Sequence, residues 1–303
     1  MAISLRSRFW YTVLRKAFKN QKLSITERRA SGAKNSGILG RVPKTIKVEK
    51  IDIDGTQAEW VIPLGASHEK VILYLHGGGY VTGSIETYRM LSGLLASHIC
   101  VKVLLLEYRL APENPFPAAL DDSLKVYGWL LEQGYSSANI ILCGDSAGGG
   151  LSVATVLTLK DKNESLPAAV VCLSPWVDLT LKNKTHITKA ESEAMLSKDV
   201  LRDWALAYTD ESNLTNPLVS PVYADFHGFP PLLIQVGSNE ILLDDSILLA
   251  EKAKADGVQV ELNIWNGMWH VWHIFGDLIP ESKKAFEEID QFVRARFENS
   301  ISA

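Results

Sequence analysis

The sequence contains few cysteines. Its 303 residues include only Cys100, Cys143 and Cys172, an odd number at spacings that match no zinc or iron–sulfur motif. Two of them lie inside apolar runs and the third borders one. We therefore expect buried thiols, and a protein of a reducing, cytoplasmic compartment.

Long apolar runs are also absent. No run approaches the roughly 18 residues that a membrane-spanning helix requires, so we expect no stable membrane insertion. The uncharged stretch Phe9–Leu14 is shorter than the roughly 7–15 residues of a signal-peptide core, and no signal peptide is predicted. The remaining composition, with 47% hydrophobic and 22% charged residues, is typical of a soluble protein that buries a substantial core.

The net charge is only −4, but it is unevenly distributed. Residues 1–50 contain 13 Lys and Arg against Glu27 and Glu49, a net charge of +11, which leaves −15 for the rest. A basic arm of this kind can indicate nucleic-acid or membrane binding. The first predicted helix, however, has an apolar side that includes Trp10 and Val13. We expect this side to pack on the protein itself, with no nucleic-acid partner; contact with a lipid surface is the alternative.

Hydrophobic periodicity predicts an α/β fold with a mostly parallel sheet. A Gly- and Ser-rich break at Ser31–Gly40 precedes two predicted strands, Lys44–Ile51 and Gln57–Ile62, joined by the hairpin signal Asp54-Gly55. The next strand candidates are apolar at nearly every position, which is typical of strands covered by helices on both faces. They are Val71–Leu75, Val101–Leu106, Ile140–Cys143, Ala169–Leu173 and Leu232–Val236, followed by Gln259–Trp265. Because helix-like stretches alternate with these runs, we expect about eight strands, antiparallel at the start and then parallel with right-handed crossovers.

Two helical pieces do not fit this alternation. Residues 181–217 contain a polar stretch and an amphipathic helix, and they fall between two core strands. The N-terminal helix is likewise surplus to the sheet. We expect residues 1–43 and 181–217 to form a helical cap over the strand carboxyl ends, where open α/β sheets bind ligands. Residues 44–180 and 218–303 would form the core. Two unrelated surface decorations are the alternative.

A short turn, Gly144-Asp145-Ser146-Ala147-Gly148, separates a strand candidate from a helix candidate. It matches the G-x-S-x-G pattern, in which the turn is too tight for Cβ atoms at the glycine positions. Such a turn presents the serine hydroxyl at a helix N-terminus, where free N–H groups favour developing negative charge. Because glycine and serine are common in turns, Ser146 is a convincing nucleophile only if the other catalytic parts are found.

A glycine loop, His76-Gly77-Gly78-Gly79-Tyr80, follows the first buried strand candidate. Its bare backbone can approach a carbonyl group, and this H-G-G-G pattern supplies part of the oxyanion hole in lipases and esterases. The N–H that follows the nucleophile, here that of Ala147, is the other donor. A dinucleotide or phosphate loop does not fit, because Thr82 replaces the last glycine and no G-K-[ST] follows.

The general base is expected among seven histidines. Four lie in polar or loop settings and are predicted to be solvated: His68, His98, His186 and His227. His76 is expected to hold the glycine loop. His270 and His273 follow the last strand, from which a loop can reach the catalytic edge of the sheet. We favour His270, because the preceding Gly267-Met268 turn allows its imidazole to turn inward; His273 is the alternative.

The triad acid is expected after the fifth apolar strand, in the chain order serine, acid, histidine. Glu240 lies in that strand-to-helix loop, whereas Asp244 and Asp245 fall in the following helix, where acids often face solvent. Glu240 is therefore the predicted acid. It follows Ser146 by 94 residues and precedes His270 by 30.

Together these motifs resemble the bacterial hormone-sensitive-lipase family of carboxylesterases. The resemblance covers residues 45–300, and five motifs carry it: His76–Tyr80; Tyr108–Glu113 with Pro115–Ala119; Gly144–Gly149; Ser174–Asp178; and Gly267–His270. It implies an α/β-hydrolase fold with a helical cap, hydrolysis of short- to medium-chain esters, and oxyanion donors at Gly78, Gly79 and Ala147. It also implies a homodimer through the edge strand around Gln259–Trp265.

The acid departs from the family's usual D-x-L-x-D motif. The matching segment is Glu240-Ile241-Leu242-Leu243-Asp244, so the spacing is kept but one more methylene must be accommodated. Glutamate is an accepted triad acid on this fold. The predicted mechanism is attack by Ser146 on a small acyl ester, with His270 as the base and Glu240 fixing the imidazole, and it requires no metal or organic cofactor.

Two rival functions remain open. A non-catalytic small-molecule receptor on this fold, similar to the plant gibberellin receptors, would have the catalytic histidine replaced, whereas His270 is present here. Amide, lactone or carbamate hydrolysis could use the same triad, and analogy of fold does not separate these chemistries.

Overall fold

A single eight-stranded sheet forms the core of the computed structural model, which describes residues 3–18, 23–39 and 42–299. Its strands are β1 (Ile46–Ile53), β2 (Thr56–Pro63), β3 (Ser67–Leu75), β4 (Val101–Leu106), β5 (Ile140–Asp145), β6 (Ala169–Leu173), β7 (Leu232–Gly237) and β8 (Val260–Trp265). They are ordered β1-β2-β4-β3-β5-β6-β7-β8. The pairs β1–β2 and β2–β4 are antiparallel, and the others are parallel. The predicted fold class is confirmed.

Helices cover both faces of this sheet. In the described ranges they are α1 (Leu5–Phe18), α2 (Ile25–Leu39), α3 (Ile85–Ile99), α4 (Ala118–Glu132), α5 (Ala147–Asp161), α6 (Thr185–Thr188), α7 (Lys198–Tyr208), α8 (Leu243–Ala255) and α9 (Pro280–Asn299). Alternate residues of β3 face opposite layers: Leu73 packs in the cluster with α4, α5 and α8, and Ile72 packs in the cluster with α3 and α9. Both are almost fully buried, which explains why the central strands are apolar throughout.

The N-terminal region differs from the prediction at two points. The predicted break at Ser31–Gly40 is helical as far as Leu39, and Gly40 lies outside the described residues. Tertiary contacts outweigh the weak helix propensity of this segment. Arg29 donates to both carboxylate oxygens of Glu113 and to two backbone carbonyls, which fixes α2 against the core. Val13, expected on the packed side of α1, is 39% exposed.

The N-terminal helices and the inserted segment contact each other. Tyr11 of α1 donates its hydroxyl proton to the Ser192 carbonyl at 2.8 Å. The Arg28 guanidinium of α2 lies 5.5 Å from the ring centroid of Trp204 in α7. No helix within the described ranges is both long and apolar enough to cross a membrane.

The cysteine prediction holds in part. Cys143 and Cys172 are buried thiols in β5 and β6, whereas Cys100 is exposed. Cys100 ends α3 in the left-handed conformation, with φ of 56°. The run that follows it is buried, but the capping position itself faces solvent, so bordering an apolar run did not predict burial.

Candidate active site

Ser146 occupies the sharp turn between β5 and α5, with φ of 52° and ψ of −123°. The two glycines of the motif are required by close packing. A Cβ atom on Gly144 would lie 2.2 Å from the Gly148 carbonyl oxygen, and one on Gly148 would lie 2.0 Å from the Leu75 oxygen. Helix α5 begins at Ala147, so its N-terminus directly follows the serine.

Glu240 and His270 are joined by a hydrogen bond. Glu240 Oε2 lies 2.8 Å from His270 Nδ1, and the carboxylate is fully buried. Its other oxygen, Oε1, accepts from Ser174 Oγ at 2.7 Å and from the Gly237 N–H at 2.5 Å. With both oxygens occupied, the carboxylate is fixed in orientation. A proton on Nδ1 leaves Nε2 of the imidazole as the acceptor nitrogen.

The end of β6 connects the serine turn to the histidine loop. The Leu173 carbonyl accepts the Ser146 N–H at 2.9 Å. The next residue, Ser174, accepts the Val271 N–H at 3.2 Å through Oγ while it donates to Glu240. The structure thus brings the loops of Ser146, Glu240 and His270 together at the carboxyl end of the parallel strands.

The electrostatic surroundings of His270 favour its protonated form. Burial by itself lowers the pKa of the imidazole, but the hydrogen bond and negative charge of Glu240 outweigh it. Glu193 and Asp145 add smaller effects in the same direction, so the pKa is raised above its usual value. Such a site stabilises the imidazolium that forms when a histidine accepts a proton.

The glycine loop between β3 and α3 depends on bare backbone. Gly78 and Gly79 have φ of 112° and 64°. A Cβ atom on Gly78 would lie 2.3 Å from the Thr82 carbonyl oxygen, and one on Gly79 would lie 2.1 Å from Trp204 Cε3. No hydrogen bond within the described residues uses the N–H of Gly78 or Gly79. Helix α7 therefore packs directly on Gly79, and the N–H groups of Gly78 and Gly79 are without an acceptor among the described residues.

His76 is fixed within this loop. Its ring stacks on Tyr108 with centroids 4.2 Å apart, and Nδ1 lies 2.7 Å from the Gly77 carbonyl oxygen. The Tyr108 hydroxyl donates to the His76 carbonyl at 2.7 Å. Burial lowers the pKa of His76 to about 4, so the ring is neutral near pH 7 and supports the loop.

Known proteins resemble this chain along most of its length. A family model described as alpha/beta hydrolase fold matches residues 72–274. An acetyl-hydrolase of Streptomyces hygroscopicus is 44% identical over 258 residues, 85% of each chain. The crystal structure of an esterase from the bacterial hormone-sensitive lipase (HSL) family is 40% identical, with a TM-score of 0.93, and covers 98% of this chain and 100% of the other. EstE5, in a crystal soaked with p-nitrophenyl butyrate, is 39% identical with a TM-score of 0.93, over 97% and 99% of the two chains.

The chain belongs to the bacterial hormone-sensitive lipase family. It is a carboxylic ester hydrolase with the α/β-hydrolase fold. The resemblance in the motifs is thereby confirmed, as is the enzyme class.

Two other candidates for the site of this esterase, His273 for the base and Asp244 for the acid, have different hydrogen-bond partners. His273 is fully buried, with Nε2 2.9 Å from Gln235 Oε1, and burial lowers its pKa to about 3. Asp244 accepts the Thr185 N–H at 3.1 Å. These contacts place both residues outside the Glu240–His270 pair.

Two predictions of solvated side chains are wrong. Asp245, in the first turn of α8, is fully buried and accepts N–H groups of Val177 and Asp178 at 3.2 and 3.0 Å. His186 is only 2% exposed, and its Nε2 lies 3.7 Å from Asp245 Oδ2. The inserted segment covers both residues, a burial that a local reading of polar sequence does not detect.

The site of the esterase contains two supporting residues to which the sequence assigned no role. Ser174 bridges Glu240 and the histidine loop from a left-handed backbone position, φ 49°. Asp145 accepts the Gly77 N–H at 2.9 Å and the Tyr74 hydroxyl at 2.8 Å, and thus ties the glycine loop to the serine turn. Burial raises the pKa of Asp145 to about 6. Both residues lie in motifs that carry the family resemblance, Ser174–Asp178 and Gly144–Gly149. Their place in these motifs was the sequence signal that could have identified them.

Glu193 is a third supporting residue, and no motif marks it. It lies in the inserted segment and is 2% exposed. Its Oε1 accepts the N–H groups of Ala194 and Met195 at 2.8 and 2.9 Å, while Oε2 accepts the Ile241 N–H at 3.1 Å. Ile241 directly follows Glu240, so this carboxylate ties the insertion to the loop that carries the acid.

Proposed function

We propose that this esterase hydrolyses short- to medium-chain acyl esters through a Ser146–His270–Glu240 triad and a covalent acyl-enzyme. The observation that carries the proposal is the 2.8 Å hydrogen bond between Glu240 Oε2 and His270 Nδ1. It joins an acid after β7 to a base after β8, and the end of β6 links the loops of both residues to the serine turn after β5. This is the combination of groups that acyl transfer at neutral pH requires.

In the first step, Ser146 Oγ attacks the ester carbonyl carbon while His270 Nε2 accepts the hydroxyl proton. The carbonyl oxygen becomes an oxyanion, which the N–H groups of Gly78, Gly79 and Ala147 stabilise. Glu240 holds the imidazole in the productive tautomer and stabilises the imidazolium without taking its proton. The C–O bond to the alcohol then breaks, and His270 returns the proton to the leaving oxygen.

In the second step, water replaces the alcohol. His270 Nε2 takes a proton from the water as its oxygen attacks the acyl carbon of the Ser146 ester. The same backbone donors hold the second oxyanion. Collapse of this intermediate releases the carboxylic acid and returns the proton to Ser146 Oγ, which restores the enzyme.

The proposed substrate length follows from what lies over the glycine loop. Trp204 contacts the Gly79 position, and Tyr208 of the same helix stacks on Tyr80 at 3.8 Å between centroids. The large buried rings of Trp204 and Tyr208 beside the glycine loop limit the space for an acyl chain. A relative, EstE5, was soaked with a butyrate ester, which lies inside the proposed range.

We also assign residues 1–43 and 181–217 to a cap and residues 44–180 and 218–303 to the core. The Tyr11–Ser192 and Arg28–Trp204 contacts support grouping the two cap pieces. A homodimer through β8, the last strand in the sheet order, and a cytoplasmic location both stay predictions.

The triad is tested by separate removal of its nucleophile and base. Ser146→Ala and His270→Ala should each lower kcat by roughly 10³-fold or more, with the circular dichroism spectrum unchanged. An organophosphate should add its mass to the Ser146 peptide of the wild-type enzyme in a time-dependent manner. Near-normal turnover by either variant, or unreduced labelling of Ser146→Ala, would overturn the assignment.

Substrate length is tested with p-nitrophenyl esters from acetate to palmitate, beside the matching anilide. We expect the highest kcat/KM between acetate and hexanoate, and little cleavage of the anilide. Best activity on emulsified long-chain triglyceride would contradict the proposed acyl range while leaving the triad intact. Preferred cleavage of the anilide would instead indicate an amidase.

A further inference from the structure

Helix α1 has two apolar faces. Trp10 and Leu14 of its inner face pack in a cluster with Met268 and Trp269 of the histidine loop. The opposite face carries Leu5, Phe9 and Val13, which are 81%, 61% and 39% exposed. Residues four apart lie on the same side of a helix, so these three side chains form one exposed row, which we call the outer stripe.

The outer stripe is unusual within this molecule. The described residues include eleven large apolar side chains that are exposed. Four of these eleven belong to the fourteen residues of α1: Leu5, Phe9, Val13 and Phe18. Single exposed apolar residues need no explanation, but a contiguous row marks an interaction surface.

The charges beside the outer stripe select one kind of partner. Arg6, Arg8 and Lys16 are exposed, and α1 contains no acidic residue. Residues 1–50 as a whole carry a net charge of +11. A second copy of this helix would bring like charges together, whereas an anionic lipid surface offers both opposite charge and an apolar layer.

We propose that the outer stripe of α1 binds the surface of an anionic lipid bilayer. The helix lies in the plane of the interface, with Leu5, Phe9 and Val13 among the upper parts of the acyl chains. Arg6 and Arg8 contact the phosphate groups. This mode needs only the face already exposed, so the inner face keeps its contacts with the histidine loop, and it requires no spanning helix.

The test measures binding of the full-length protein to vesicles, which does not depend on catalysis. The protein should float with vesicles of phosphatidylcholine containing about 30% phosphatidylglycerol, and not with pure phosphatidylcholine. The double variant Leu5→Ser/Phe9→Ser should bind the anionic vesicles about tenfold more weakly. Arg6→Gln/Arg8→Gln should show a similar loss, and about 0.5 M salt should weaken wild-type binding.

Leu64→Ser is the matched control, because Leu64 is 84% exposed but lies at the turn after β2. The Leu64→Ser variant should bind anionic vesicles like the wild type. All variants should have the melting temperature of the wild type, because the altered side chains are exposed. Absence of wild-type flotation with anionic vesicles would overturn the proposal, as would unchanged binding by the stripe variants. A dimer in solution that Leu5→Ser/Phe9→Ser converts to a monomer would identify a second copy as the occupant instead.

Discussion

At the scale of single residues, the glutamate in the acid position is explained by its anchors. Ser174 Oγ and the Gly237 N–H hold one oxygen of Glu240 while the other faces His270 Nδ1. Gly237 leaves room beside this carboxylate, because a Cβ atom there would lie 3.0 Å from Glu240 Oε1 and 2.3 Å from the Met268 carbonyl oxygen. The longer acid is thus accommodated by the loop around it.

The first prediction ranks the carboxylates. Glu240→Gln should lower kcat by roughly 10³-fold or more, because an amide carries no charge and can donate to Nδ1, which favours the wrong imidazole tautomer. Asp244→Asn, the control, should stay within a few-fold of wild type, since Asp244 contacts Thr185 and not His270. Steady-state kinetics on p-nitrophenyl acetate measures both. The reverse ranking would move the triad acid into α8.

At the scale of elements, the inserted segment supports the loop that carries the acid. Glu193 accepts N–H groups from its own segment and from Ile241, so one buried carboxylate joins the insertion to the residue after Glu240. Burial, as the largest effect, raises the pKa of Glu193. Its negative charge, when present, also helps to raise the pKa of His270. The insertion therefore acts on the base both by position and by charge.

The second prediction separates these two effects. Glu193→Gln removes one interaction that raises the pKa of His270, so the acidic limb of the kcat/KM profile should move to lower pH. We also expect kcat to fall about tenfold. The amide nitrogen of glutamine cannot accept a hydrogen bond, so residue 193 loses backbone N–H contacts on one side, and the loop that carries Glu240 is held less firmly. A purely structural role would lower stability without moving the acidic limb. Glu191→Gln, which alters a carboxylate that is 92% exposed, is the control and should change neither quantity.

At the scale of the whole molecule, Asp245 connects the core to the insertion. Its carboxylate accepts N–H groups of Val177 and Asp178 after β6 and the side-chain amide of Asn183 in the insertion, at 2.9 Å. Burial, as the main cause, raises its pKa to about 8, and the nearby charge of Asp178 acts in the same direction. The folded protein therefore keeps a proton on Asp245 in neutral solution that the unfolded chain releases.

The third prediction concerns stability against pH. Between an unfolded pKa of about 3.9 and the folded value, the folded state binds more protons, so the free energy of unfolding falls as pH rises. Asp245→Asn lacks this site. The stability of wild type relative to Asp245→Asn should therefore decline by about 1.4 kcal/mol per pH unit between pH 6 and 8 and level off above.

Urea unfolding at four pH values measures this difference. Asp244→Asn is the control, and its stability relative to wild type should change little over the same range. The imidazole of His186, 3.7 Å from Asp245, has its pKa lowered to about 4 by burial and does not titrate in this window. A pH-independent difference between wild type and Asp245→Asn would show that Asp245 ionises normally.

The sheet could be predicted from the sequence because its signals are local. Strands covered on both faces are apolar at nearly every position, and a two-residue turn such as Asp54-Gly55 specifies a hairpin without help from the rest of the chain. The glycines at 144 and 148 are equally local signals, since the turn around Ser146 forbids Cβ atoms within a few residues. These features gave the fold class and the family.

What only the tertiary structure decided is which polar groups are buried and which apolar groups are exposed. Glu193 and His186 lie in the polar insertion and Asp245 lies in the first turn of α8, yet all three are buried where the insertion packs on the core. The amphipathic pattern around Val13 is compatible with either burial or exposure of this residue. Only the packing of Trp10 and Leu14 on the histidine loop shows that Val13 is on the exposed side of α1. Burial depends on segments that are distant in sequence, and a periodicity of 3.6 residues defines the faces of a helix without saying which one meets the core.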